Sequence, residues 1–92
     1  MRHLSWNSDK NQQLIDSRGV SFEDVSRALR EGRLLDDRKH PNSHRYPLQR
    51  IFVVEIRDYV YLVPYVDGAG ILFLKTIIPS RKATRDYLGG GR

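Results

Sequence analysis

Between Gln49 and Ile78 the chain carries three apolar runs, and no other feature restricts its fold as much. QRIFVVEI (Gln49 to Ile56) and YVYLVPYV (Tyr59 to Val66) are dense in β-branched and aromatic residues, which favour strands. Only Arg57 and Asp58 separate them, a length that suits a tight hairpin. Asp67, Gly68, Ala69 and Gly70 form a second turn signal, and Ile71 to Ile78 reads as the third strand. Three strands joined by short turns predict an antiparallel meander. Pro64 has no N–H for a ladder, so it suggests an edge position or a bulge near the end of its strand.

Helix signals flank the meander. Ser8 or Asp9 can cap KNQQLID, which follows Trp6, and Gly19 can close that helix in a left-handed conformation. Ser21 with Asp24 three residues on is a capping-box variant. Phe22, Val25 and Leu29 then recur at i, i+3 and i+7, and Gly32 marks the end. Ser80, after Pro79, is a good N-cap for a last helix from Arg81 to Leu88. Leu34 and Leu35 suggest a short strand before Asp36. Residues Asp37 to Pro47 are polar, hold two prolines and lack periodicity, so they read as a long loop. The expected order α-α-(β)-β-β-β-α describes an α+β domain. It has two N-terminal helices, an antiparallel meander of three to four strands and a C-terminal helix, with the helices packed on one face. A length of 92 residues without a linker predicts a single domain over residues 1–88, followed by a flexible Gly-rich tail over 89–92.

Sixteen Lys and Arg against eleven Asp and Glu give a net charge of +5. Arginine outnumbers lysine, and guanidinium grips phosphate in a planar, bidentate way. Such a balance fits a nucleic acid or an acidic protein partner, or a surface charged for solubility. The chain has no cysteine, which excludes disulfides and thiolate chemistry and is compatible with a reducing cytosol. No apolar h-region follows the basic start, and no apolar run approaches a membrane span, so a cytoplasmic domain without a leader is expected.

The positive charge gathers late: Lys75, Arg81, Lys82, Arg85 and Arg92 face one acid, Asp86. Ser80 and the first-turn amides of the last helix can hold an anion. Cations are disfavoured in that turn, so Arg81 and Lys82 there suggest a use for the charge. Lys75 shares an alternating face with Ile71, Phe73 and Ile77, where it lines a cleft, snorkels or pairs with Glu55. Arg50 opens a strand beside Arg45 and Tyr46, where it can hold a phosphate or shield the strand edge. His40 and His44 are four apart, but Pro41 argues against a helix and no Cys or Glu completes a metal set. No metal or cofactor is therefore expected. The loop can present one imidazole as general acid or base, or leave both solvated. His3 is expected to be uninvolved. Tyr59, Tyr61 and Tyr65 share a face that covers the sheet or stacks on bases.

Two segments carry a resemblance. Trp6, the Lys10-Asn11 helix and RGVSFEDV are similar to the opening of BrnT-type toxins, close to W-(x)-K-N-(x)-(K)HGVSFEEA. IIPSRKAT resembles that family's IISARKAT, which leads into its last helix. The likeness covers nearly the whole chain. It departs where Ser17-Arg18-Gly19 replaces the usual KHG, so Arg18 stands for the family's histidine. The loop with His40 and His44 has no counterpart.

The resemblance implies a toxin of a type II toxin–antitoxin module in the RelE-like group. Such toxins inhibit growth by cleaving mRNA without metal, and a cognate antitoxin with a DNA-binding domain restrains them. Arg81 carries over as the best-placed catalytic residue, Lys82 and Ala83 as its neighbours, and Lys10 and Arg18 as weaker RNA contacts. Lys75, His40 and His44 are the candidates for proton transfer. Arg50, Lys82 and Arg85 are the further candidates for holding RNA. The other expectation is a non-catalytic RelE-like domain, either a gyrase-type inhibitor or an RNA-binding module. An antitoxin with an acidic or apolar segment is expected across the same basic face as the RNA.

Overall fold

A computed structural model describes residues 3–89. The elements are β1 (His3–Ser5), α1 (Ser8–Arg18), α2 (Phe22–Arg30), β2 (Leu34–Lys39), β3 (Gln49–Ile56), β4 (Tyr59–Gly68), β5 (Ile71–Leu74), β6 (Ile78–Pro79) and α3 (Arg81–Leu88). Asn7, rather than Ser8 or Asp9, caps α1, its side chain accepting from the Lys10 amide at 2.9 Å. Gly19 closes α1 with φ 67°. Ser21 and Asp24 form the full capping box of α2. Arg57 and Asp58, with φ 52° and 63°, join β3 to β4 in the doubly left-handed turn that matches the strand twist.

The fold is α+β, but its sheet is larger and less regular than a meander. Among the described residues the order is β1-β5-β4-β3-β2, with β6 pairing β4 beyond the end of β5. The meander β3-β4-β5 is its centre. β1 adds in parallel to β5, His3 to Ser5 lying against Ile71 to Phe73, which makes the sheet mixed. β2 continues through Asp36 and Asp37 to Lys39, so the connecting loop is shorter than expected and begins at His40.

The helices lie on both faces of the sheet, not one. Phe52, Val54 and Ile56 of β3 join Val63 and Tyr65 of β4 in a core with Leu14, Phe22, Val25 and Ala28 of α1 and α2. The intervening Val53 joins Val60 of β4 and Ala83 of α3 in a second cluster, with Leu35, Leu62, Tyr87 and Leu88 around it. Successive side chains of a strand point to opposite faces, so the unbroken apolar run Ile51 to Val54 requires cover on both. Trp6 stacks on Phe22 at 5.6 Å and extends the first core toward β1.

Pro64 sits neither at an edge nor in the bulged strand, for β4 is paired on both sides. The break falls on its neighbour. The Lys75 amide donates to the Pro64 carbonyl at 2.8 Å, and pairing resumes at Ile78 opposite Leu62. Thr76 and Ile77 thus stand together opposite Val63, a bulge that re-aims the chain. The expected third strand splits into β5 and β6, and the face Ile71, Phe73, Lys75, Ile77 is broken. Ile71, Phe73 and Lys75 are exposed, whereas Ile77 is fully buried with Leu72 and Leu74. Gly89 caps α3 with φ 68°; the rest of the expected tail, residues 90–92, lies outside the described residues. No described helix is long and apolar enough to cross a membrane.

Candidate nucleic-acid interface

The start of α3 is fixed to the sheet by a compact set of bonds. The Ser80 amide donates to the Val60 carbonyl at 3.0 Å, and the Val60 amide donates to the Thr84 hydroxyl at 2.9 Å. The Ser80 hydroxyl accepts from the Ala83 amide at 3.0 Å, and the Thr84 hydroxyl donates to the Ser80 carbonyl at 2.8 Å. With Ala83, Thr84, Tyr87 and Leu88 turned toward the sheet, helical spacing directs Arg81, Lys82, Arg85 and Asp86 outward. The first turn holds no acid. Lys82 reaches Asp86 at 2.8 Å, and that bond, with the charges of Arg85 and Arg38, holds the Asp86 carboxyl below the usual range.

Pairing divides the cations of this basic chain. Arg27, Arg33, Arg38, Arg50, Arg57 and Lys82 each lie within 4 Å of a carboxylate. Arg18 donates to the Ile77 carbonyl and Arg30 to the Ser26 hydroxyl. The guanidinium groups of Arg81 and Arg85, one turn apart on a shared flank, make no hydrogen bond or ion pair with another described residue. The side chains of Lys10, Lys39 and Lys75 also lack such a partner, and that of Arg45 lies over the Tyr46 ring, but each stands on a separate element or segment.

Beside the other flank of α3, β2 presents Asp36 and Arg38. The Tyr87 hydroxyl donates to Asp36 Oδ2 at 2.9 Å and accepts from Arg38 Nη2 at 2.8 Å, and the guanidinium lies 5.6 Å from the ring centre. The Tyr87 hydroxyl, followed by the Asp37 amide, holds the Asp36 carboxyl below its ordinary value. The bond to Tyr87 also raises Arg38. This cluster escaped the sequence reading, which placed a loop there. Reading DDRK with a period of two would have put Asp36 and Arg38 on one face.

The remaining candidates lie elsewhere. His40 braces its own loop: Nδ1 accepts from the Asn42 amide at 2.9 Å and the ring packs 4.8 Å from Tyr46. His44 is exposed and makes no bond to another described residue. Arg50 pairs with Asp37 at 3.1 Å and lines a cavity of about 170 Å³ with Lys39, Ser43, Pro47 and Gln49. The hydrogen bonds to Asp37 and to Tyr65 raise the Arg50 guanidinium. This loop meets the sheet at the pair Gln49–Val66, six residues along β4 from Val60, where α3 begins. That is roughly 20 Å of strand. Lys75 sits level with Pro64, roughly 13 Å from Val60 by the same measure. Lys10 and Arg18 belong to α1, on the opposite face from α3. Arg81, Lys75, His40 and His44 therefore do not converge on one site. Among the described residues no group of three or more His, Cys, Asp or Glu is placed to hold a metal.

No protein-family model matches the chain, and neither a curated protein nor a solved structure matches it.

Proposed function

We propose that this chain is a BrnT-type toxin of the RelE-like group that holds and cleaves RNA without metal, with α3 as its working surface. The observation that carries this reading is Arg81 and Arg85 on one flank of a firmly anchored, Ser80-capped helix, neither side chain forming an ion pair or hydrogen bond among the described residues. Unpaired guanidinium groups on a rigid element are ready to neutralise phosphate, and Arg suits that task better than Lys. The SRKAT segment that resembles the family's ending supplies the cap, Arg81 and the neighbouring Lys82.

Cleavage by this route needs no outside reactant. The RNA 2′-oxygen attacks the adjacent phosphorus and loses its proton to a base. The bond to the 5′-oxygen breaks, and that oxygen receives a proton. The products are a 2′,3′-cyclic phosphate and a 5′-hydroxyl. Arg81 and Arg85 stabilise the charge of the five-coordinate phosphorus. Lys75 is the nearer candidate for proton transfer, and His40 and His44 would meet only nucleotides further along the strand. In this reading the protein acts in the cytoplasm and is restrained by an antitoxin with a DNA-binding domain.

The scatter of the four proton-transfer and charge-stabilising candidates favours a second reading, a domain that binds RNA and does not cut it. Purified protein incubated with total RNA and EDTA separates the two. Fragments that form despite the chelator, and that vanish in Arg81→Ala, support cleavage. Retention of intact RNA supports binding alone.

A further inference from the structure

A cavity of about 480 Å³ lies away from α3, between β1 and α2. Leu4, Trp6, Leu29 and Leu72 form its apolar wall, and Ser26 and Arg30 stand at its polar side. The wall is continuous with the first core, against which Leu4, Trp6 and Leu29 pack. Among the described residues β1 is the last strand on this side of the sheet and pairs only with β5. Its outer edge therefore offers backbone groups to a further strand beside an apolar groove.

We infer that this groove and the β1 edge together dock an extended protein segment bearing one large apolar side chain and a neighbouring carboxylate. The free edge favours a strand over a small molecule, because a strand adds main-chain hydrogen bonds to the burial of its apolar side chain. The charge selects the sign. Among the described residues no carboxylate lines the groove and the Arg30 guanidinium is joined only to the Ser26 hydroxyl at 2.9 Å, and the whole chain carries +5. The inference is independent of RNA cleavage, since it places a protein partner on the sheet end opposite β2. It also departs from the expectation that a partner covers the basic α3 surface.

The test uses a synthetic peptide of alternating Thr and Val with a central Leu flanked by Glu, and a matching peptide with Lys for Glu. Trp6 is the chain's only tryptophan, so its fluorescence reports on the groove directly. The acidic peptide is expected to bind saturably, shift the Trp6 emission and move the amide signals of His3 to Trp6 and of Leu29 and Arg30. Ser26→Tyr, which fills the groove from a half-exposed position, should abolish these shifts while the amide spectrum elsewhere stays folded. Arg30→Glu should weaken the acidic peptide about threefold to fivefold and strengthen the Lys peptide correspondingly. Absence of saturable binding overturns the inference, as does binding that moves α3 signals instead. Equal groove filling by 1-hexanol without shifts in the β1 amides also overturns it, in favour of a small apolar ligand.

Discussion

The two faces of β2 carry the same three residue types in two different states. On the side of α1 and α2, Asp37 Oδ1 accepts from Arg50 Nε at 3.1 Å and from the Tyr65 hydroxyl at 2.8 Å. On the side of α3, Asp36 Oδ2 accepts from Tyr87 at 2.9 Å and lies 3.5 Å from Arg38 Nε. Tyr65 is only 3% exposed and stacks on Phe52 at 4.0 Å, whereas Tyr87 is half-buried; Asp36, Asp37 and Arg38 are all open to solvent. The burial of Tyr65 makes the first Tyr–Asp–Arg set a clip between the edge strand and the core. Exposure leaves the second set on the surface along the flank of α3 that carries Tyr87 and Asp86, across the helix from Arg81 and Arg85.

Truncation should separate the two sets most strongly. Tyr65→Ala removes a stacked core ring and is expected to cost about 3–5 kcal/mol in urea unfolding. Tyr87→Ala, at the half-buried rim, should cost clearly less; equal losses would erase the distinction. Removing only the hydroxyl sharpens it. Tyr65→Phe leaves the stack but deprives Asp37 of a donor, an expected loss of about 0.5–1.5 kcal/mol. Tyr87→Phe should leave the urea midpoint nearly unchanged.

The two faces should also fail at opposite ends of the pH scale. Burial first, and then the bond to Asp37, pushes the Tyr65 phenol from 10.0 up to about 12. The folded state therefore holds this proton more tightly than the unfolded chain. Its contribution is complete below pH 10 and is lost as pH rises through about 12. Asp36 and Asp86 are shifted the other way, below 3.8. Their contribution is present above the unfolded value and disappears as pH falls through the lowered folded value. Tyr65→Phe should flatten the alkaline limb of a stability–pH curve, and Asp36→Asn should touch only the acid limb.

The smallest of these effects concerns charge. If RNA lies on α3, replacing Arg81 or Arg85 by Ala should reduce the dependence of log affinity on log salt by about 0.7 for each cation removed. Arg50→Ala, on the clip face, should leave that slope nearly unaltered and lower stability instead.

What the sequence made legible was local. Ser21 with Asp24, Ser80 before Arg81, Gly19, and the Arg57–Asp58 turn each act within a few residues, and each stands where its chemistry predicts. The parts that escaped depend on distant partners. His3 to Ser5 becomes a strand only because Ile71 to Phe73 lies beside it. Asp36 to Lys39 lacks apolar alternation because an edge strand needs none. The bulge after Lys75 answers a proline on another strand. The two-sided core was missed, the helices being expected on one face, although its signal lay in Ile51 to Val54, where four consecutive apolar residues cannot all face one layer of helices. Arg81 was named from its segment alone, but its lack of a side-chain partner, and the cluster of Asp36, Arg38 and Tyr87 along the other flank of α3, emerge only once β2 and α3 are side by side.

The central claim rests on Arg81. The most direct measurement is cleavage of total RNA by the purified chain in EDTA, wild type beside Arg81→Ala, with thermal unfolding of both followed by circular dichroism. The account predicts fragments ending in 2′,3′-cyclic phosphate from the wild type and none from Arg81→Ala, at equal melting temperatures. Intact RNA with the wild type, or undiminished cleavage by a folded Arg81→Ala, would contradict it.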